Sequence, residues 1–118
     1  MKIIKKHIAS YRYAVRGIWL AFRFENNMTF HFAAAFAVVM INFKLDITRV
    51  EWMITLMLIG LAWMAEMFNT SIEKLADSVT KDHHPLIQQT KDLASGAVLV
   101  ICLIAAVCGI VIYFPYLW

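Results

Sequence analysis

Charge is what this sequence lacks most. Only 16% of its 118 residues are Asp, Glu, Lys or Arg, and 62% are hydrophobic. Ordinary soluble domains carry about 25% and roughly 45–50%. A chain of this length needs no such excess for a soluble core, so the composition points to a membrane. The chain also lacks the usual nucleotide and hydrolase fingerprints. There is no P-loop, no Rossmann fingerprint and no GxSxG, so any nucleotide site has to be of another kind. Internal repeats and low-complexity tracts are absent too, which leaves one domain over residues 1–118. Cysteine is limited to Cys102 and Cys108, both in an apolar run. Six residues apart on a helix they point to different sides, so they read as small hydrophobes and report nothing about compartment. No cleavable signal peptide is expected, because the first strongly apolar run follows a long basic segment.

What is present is an ordered series of helical segments. Over residues 5–23, Ile8, Tyr11, Val15, Ile18 and Phe22 recur at helical spacing, with Lys5, Arg12, Arg16 and Arg23 on another side. A basic amphipathic helix of this kind lies in the membrane interface, against anionic headgroups. Nothing in the chain resembles a nucleic-acid module, so no nucleic-acid partner is expected. Three spans follow, over about 26–43, 51–76 and 92–114, for an all-α integral-membrane fold. A polar turn (44–51) joins the first two, and a loop over 77–92 joins the last two, with Pro85 expected to break helix there. Tyr113, Tyr116 and Trp118 read as an interfacial aromatic belt. Six Lys or Arg lie in the first 23 residues, and Lys74, Lys81 and Lys91 flank the second loop. The positive-inside rule then places the N-terminus and second loop in the cytoplasm and the C-terminus outside.

Where charge is so scarce, its placement is informative. Glu66, Asn69, Glu73 and Asp77 end the second span and fall within about 80° of one another on a helix, in a stripe about 16 Å long. A carboxylate in the bilayer costs about 2.5–3.5 kcal/mol on insertion scales, so three are not there for stability. Such a stripe suits two chemistries. Carboxylate oxygens two turns apart, supplemented from another helix, can hold Mg²⁺. A carboxylate in partly apolar surroundings holds a proton more tightly than in water and can act as a general base. A polar seam joining helices in an oligomer is the structural alternative, and a cation path through a small transport subunit is another. The acids stop at Glu66, whereas a pore needs them through the whole depth. Glu25 lies before the first span at the level of Glu73. Lys91, Asp92 and Ser95 open the third span at that level, where a helix N-terminus beside a Lys would seat a phosphate. His31 reads as a hydrogen-bonded interface residue, and His83 and His84 as loop residues.

The stretch "AEMFNTSIEKLADSVTKDHHPLIQQTKDLASGAVLV" resembles the signature of the small prokaryotic diacylglycerol kinase and undecaprenol kinase family. That signature reads Glu–x–x–Asn–x–x–x–Glu–x–x–x–Asp, a short loop, then Lys–Asp–x–x–small–small–Ala–Val. Glu66, Asn69, Glu73, Asp77, Lys91, Asp92, Ser95, Gly96, Ala97 and Val98 all fit. The resemblance implies a homotrimer of three-span subunits that phosphorylates a lipid alcohol with MgATP, at a site between neighbouring subunits on the cytoplasmic side. It implies Glu66 as general base beside the lipid hydroxyl and Asn69 as an orienting active-site group. Glu25 and Glu73 become Mg²⁺ ligands that also meet the nucleotide. Asp77, Lys91 and Asp92 become ATP-binding residues, and Ser95 lies near the lipid substrate. Asn26 and Thr29 depart from the family, which often carries Arg there. The "HHPL" loop at His83–Leu86 resembles the undecaprenol kinase branch. The implied reaction is undecaprenol phosphorylation in a bacterial cytoplasmic membrane, with diacylglycerol as the alternative acceptor.

Overall fold

The computed structural model describes residues 1–118 as four helices and no strand: α1 (Lys2–Phe24), α2 (Asn26–Leu45), α3 (Arg49–Val79) and α4 (Pro85–Leu117). A single extended residue, Glu25 (φ −103°, ψ 116°), separates α1 from α2. α2, α3 and α4 are each long and apolar enough to cross a membrane. In hydrocarbon an uninterrupted helix is favoured because it satisfies its own backbone hydrogen bonds. At 1.5 Å per residue α3 and α4 run about 46 and 50 Å, more than the roughly 30 Å of a hydrocarbon core. Their ends therefore extend past it.

The turns have local causes. α2 stops at Asp46, which takes the left-handed conformation (φ 51°), one that the short polar Asp tolerates better than most residues. The amides of Asp46 and Ile47 both donate to the Asn42 carbonyl, and Ile47 is buried beneath the turn. α3 starts in a reciprocal capping box: the Glu51 amide donates to Thr48 Oγ1 at 3.2 Å, and the Thr48 amide to Glu51 Oε1 at 3.0 Å. So short a connection makes α2 and α3 antiparallel neighbours. The loop expected over 77–92 is shorter than that. α3 runs on to Val79, and α4 begins at Pro85 rather than near residue 92. The break expected near Pro85 lies at residues 80–84, and Pro85 itself opens the helix that follows: at the first helical position its missing amide costs nothing. The His84 side chain caps the same end, its Nδ1 accepting from the Leu86 amide at 3.2 Å.

α3 packs most closely on α4 and next on α2; α1 touches the bundle lightly. The molecule measures 52 × 46 × 21 Å. Three cylinders about 10–12 Å thick do not reach 46 Å across, so α1 accounts for the width by projecting sideways. Only 11 of 118 residues are buried. That is too few for an apolar chain in water, and it leaves Phe30, Phe36, Leu99, Leu103 and Ile110 facing outward for lipid or other protein.

A polar clamp ties the three spans together where α2 ends, α3 begins and α4 ends. Asn42, fully buried, donates to Thr55 Oγ1 at 2.9 Å and accepts from the Tyr113 hydroxyl at 2.5 Å. The Tyr116 hydroxyl donates to Glu51 Oε1. These two tyrosines, read from sequence as interfacial belt residues, thus turn their hydroxyls onto the neighbouring helices.

Candidate active site

The opposite end of the bundle gathers six of the eight acidic residues, all but Asp46 and Glu51. There α1 joins α2, α3 ends and α4 begins. The stripe on α3 is graded. Glu66 is 2% exposed and Asn69 6%, Glu73 is half-buried, and Asp77 is exposed. Ala76, a small residue that lets neighbours approach closely, is buried beside it.

The deep pair is incompletely satisfied. Glu66 Oε2 lies 3.7 Å from His31 Nε2 on α2, while Glu66 Oε1 and Asn69 Oδ1 are buried without any hydrogen-bond partner. Buried polar atoms are nearly always paired, so two orphaned acceptors about one helical turn apart mark a place where donors are meant to arrive. His31 was expected to be a hydrogen-bonded interface residue. Its backbone carbonyl does accept, from Trp63 Nε1 at 3.3 Å, but its imidazole faces Glu66.

The shallow residues form ion pairs that cross between helices. Lys91 Nζ meets Asp77 Oδ1 at 2.6 Å, joining the start of α4 to the end of α3. Lys74 Nζ meets Glu25 Oε1 at 3.2 Å, joining α3 to the α1–α2 junction. Asp92 Oδ1 accepts from Gln88 Nε2 at 2.9 Å, and Ser95 is exposed. One expectation needs correcting. Because α4 begins at Pro85, Lys91 lies almost two turns inside the helix, not at its N-terminus. It has a charge to offer a phosphate, while the free amides of the helix end are elsewhere. His83 and His84 are exposed, and His84 is occupied as the cap.

No group of three or more His, Cys, Asp or Glu in one chain is placed to hold a metal ion. Mg²⁺ rarely needs one: it takes one or two carboxylates, keeps several waters and completes its shell with substrate phosphates. Glu25 and Glu73, both half-buried hard oxygen donors, fit that pattern.

Two clefts flank the site. A groove of about 940 Å³ runs between α1 and α3, with Gly17, Ile18 and Phe22 on one wall, Gly60, Met64 and Phe68 on the other, and Glu25 and Lys74 at one end. Neither glycine has an atom within 4 Å of the place a Cβ would occupy, so the groove is open at both. A second cleft of about 190 Å³ lies inside the bundle, lined by His31, Ala62, Cys102 and Tyr113 among others. Trp63 forms part of both. No sequence signal pointed to Trp63, to the pairing of Lys74 with Glu25, or to the clefts.

A family model described as prokaryotic diacylglycerol kinase matches residues 12–113. The chain is 41% identical over 114 residues to an undecaprenol kinase of Bacillus subtilis, covering 97% of this chain and 93% of that one. It is 28% identical over 109 residues to a diacylglycerol kinase of Escherichia coli strain K12, covering 90% and 84%. With a diacylglycerol kinase of Haemophilus influenzae the identity is 25% over 108 residues, covering 91% and 92%.

Proposed function

The chain belongs to the prokaryotic diacylglycerol kinase family and is a lipid kinase of the bacterial membrane, and from that premise we propose that it transfers the γ-phosphoryl group of MgATP to undecaprenol. The acceptor is proposed from the undecaprenol kinase relative, whose 41% identity spans nearly both chains. Diacylglycerol, named in the relatives at 25% and 28%, is the competing acceptor.

The observation that carries the chemistry is the orphaned Glu66 Oε1 at the buried end of the stripe. A carboxylate oxygen there accepts from the lipid hydroxyl and takes its proton as the lipid oxygen bonds to the γ-phosphorus. The bond from that phosphorus to the ADP oxygen breaks, and its electron pair leaves with ADP. Asn69, one turn on, orients the acceptor or the phosphate. Glu73 and Glu25 would hold Mg²⁺ against the nucleotide, where the ion supplies charge neutralisation on the phosphates. Asp77, Lys91 and Asp92 meet the nucleotide at the aqueous end of the stripe, with the Lys91 ammonium directed to phosphate and Ser95 nearer the lipid. Phosphoryl transfer needs mainly positioning and charge stabilisation, so these few groups suffice without a P-loop. The α1–α3 groove supplies apolar surface suited to a hydrocarbon chain.

The assembly in this reading is a homotrimer, as the family resemblance implies, with part of the outward-facing apolar surface left for neighbouring subunits and part for lipid. α1 lies on anionic headgroups through its Lys and Arg face. The N-terminus is cytoplasmic and the C-terminus extracytoplasmic, in keeping with the distribution of basic residues.

The test uses purified protein in micelles with labelled ATP, Mg²⁺ and a panel of undecaprenol, diacylglycerol and ceramide. Undecaprenol is expected to have the highest kcat/KM. Glu66→Gln, which keeps size and hydrogen bonding but cannot take a proton, is expected to lower kcat by about 10²-fold or more, as loss of a general base does. ATP affinity should be little changed. Preference for another lipid would overturn the acceptor, and a Gln variant within a few-fold of the parent would remove Glu66 as base.

A further inference from the structure

We propose that His31 is a positioning residue for the phosphoryl-transfer step: it holds one oxygen of the Glu66 carboxylate so that the other is presented to the lipid hydroxyl. The inference rests on the reading of Glu66 as the base. It starts from a cost. An ionised carboxylate taken out of water is strongly destabilised unless a partner compensates it. The Glu66 side chain is 3% exposed, and His31 is the one basic group within 4.0 Å of its carboxylate, itself 10% exposed. The two oxygens of Glu66 are unequal. Oε2 faces His31 Nε2 at 3.7 Å, and Oε1 faces no partner at all. A base needs one oxygen free for its substrate, and this asymmetry provides one.

At 3.7 Å the contact is longer than the usual 2.7–3.2 Å of an N–H···O bond. Catalytic contacts are often long before substrate is bound and tighten in the complex. An approach of about 0.5–1 Å makes the His31 Nε2–H a donor to Oε2. The backbone needed for this is already held. Trp63, one helical turn before Glu66 on α3, donates its indole N–H to the His31 carbonyl, fixing α2 against α3 at this level. Phe22 and Phe32 pack against the same indole at ring-centre distances of 5.1 and 6.2 Å. An N–H on Nε2 gives the ring a donor that orients the carboxylate.

Two substitutions separate this role from simple packing. His31→Leu keeps bulk and removes the donor. His31→Gln keeps an amide N–H near the place of Nε2 but puts an unringed polar chain in an apolar interior. If packing alone mattered, Leu would be tolerated better than Gln. Positioning predicts the reverse. His31→Leu should lower kcat by about 10-fold or more, within the 10²–10⁴-fold worth of the base itself, and His31→Gln should recover most of the loss. KM for ATP should stay within about two-fold in both, since ATP does not meet His31. The measurement is kcat and KM for lipid and ATP in the same micelles, beside Glu66→Gln and with the unfolding midpoint of each variant. A Leu variant with full kcat, a Gln variant worse than Leu, or a loss confined to ATP KM would each overturn the proposal. If Glu66→Gln itself retains activity, the underlying assignment of the base fails instead, and the two failures are read from separate proteins.

Discussion

Removing the Asn42 side chain should loosen the bundle without touching the chemistry. Asn42 joins all three spans, donating to Thr55 on α3 and accepting from Tyr113 on α4, at 2.9 and 2.5 Å. Hydrogen bonds between membrane helices average about 0.6 kcal/mol in double-mutant cycles and reach about 1.7. Two of them set the loss for Asn42→Ala at about 1–3 kcal/mol. Thr55 does not become an orphan, because its hydroxyl still donates to the Trp52 carbonyl at 3.0 Å. The Tyr113 hydroxyl does, which biases the value toward the upper half. At about 1.4 kcal/mol per tenfold, the unfolding equilibrium moves by roughly 5- to 150-fold. Thr55 and Glu66 are separated by about 16 Å along α3, so kcat below the unfolding transition should be unchanged. The assay is unfolding in mixed micelles at increasing mole fraction of a denaturing detergent, for the parent, Asn42→Ala, Tyr113→Phe and the double variant. The cycle should return a coupling of about 0.6–1.7 kcal/mol. A coupling below about 0.3 kcal/mol, or a fall in kcat at full folding, would refute the clamp as a purely structural device.

Further outcomes follow from the other end of the molecule. Glu73→Gln should lose most activity while the protein stays folded, with partial recovery at higher Mg²⁺; turnover unchanged at low Mg²⁺ would dismiss Glu73 as a ligand. Lys91→Met should raise KM for ATP more than it lowers kcat, and Asp77→Asn should do less, since it leaves the ammonium in place; equal KM in all three would place the nucleotide elsewhere. Replacing Lys5, Lys6 and Arg12 by Gln should weaken α1 on anionic bilayers, at about 1 kcal/mol per basic residue near the surface. Amide exchange in α1 should then accelerate on anionic vesicles, and unaltered exchange would mean that packing holds the helix.

What was legible in the sequence had a strong local signal. Long apolar runs with little charge announce membrane helices, and α2 to α4 follow them. Four polar groups at helical spacing announce a face, and Glu66 and Asn69 are indeed buried on it. What escaped depended on partners far apart in the chain. Asn42 and Tyr113 are 71 residues apart, and each alone looks like an ordinary span residue. His31 was weighed by itself, and its meaning comes from Glu66. Pro85 was read through its power to stop a helix; at the first helical position the same ring starts one. Lys74 was counted as a charge at the loop edge, whereas its partner is Glu25.

The solitary extended residue between α1 and α2 has a mechanical meaning. α1 is a rod of 23 residues, about 34 Å long, attached through the backbone of Glu25 and lightly held elsewhere. A turn of about 10° at that elbow sweeps the far end through about 6 Å on a rod of this length. The side chain on the elbow is the same carboxylate that Lys74 now holds and that is proposed above as a Mg²⁺ ligand. If α1 lies on the bilayer and Glu25 serves the site as proposed above, load placed on the rod is felt, with this leverage, at that carboxylate, and a change of partner there reappears as a tilt of the rod.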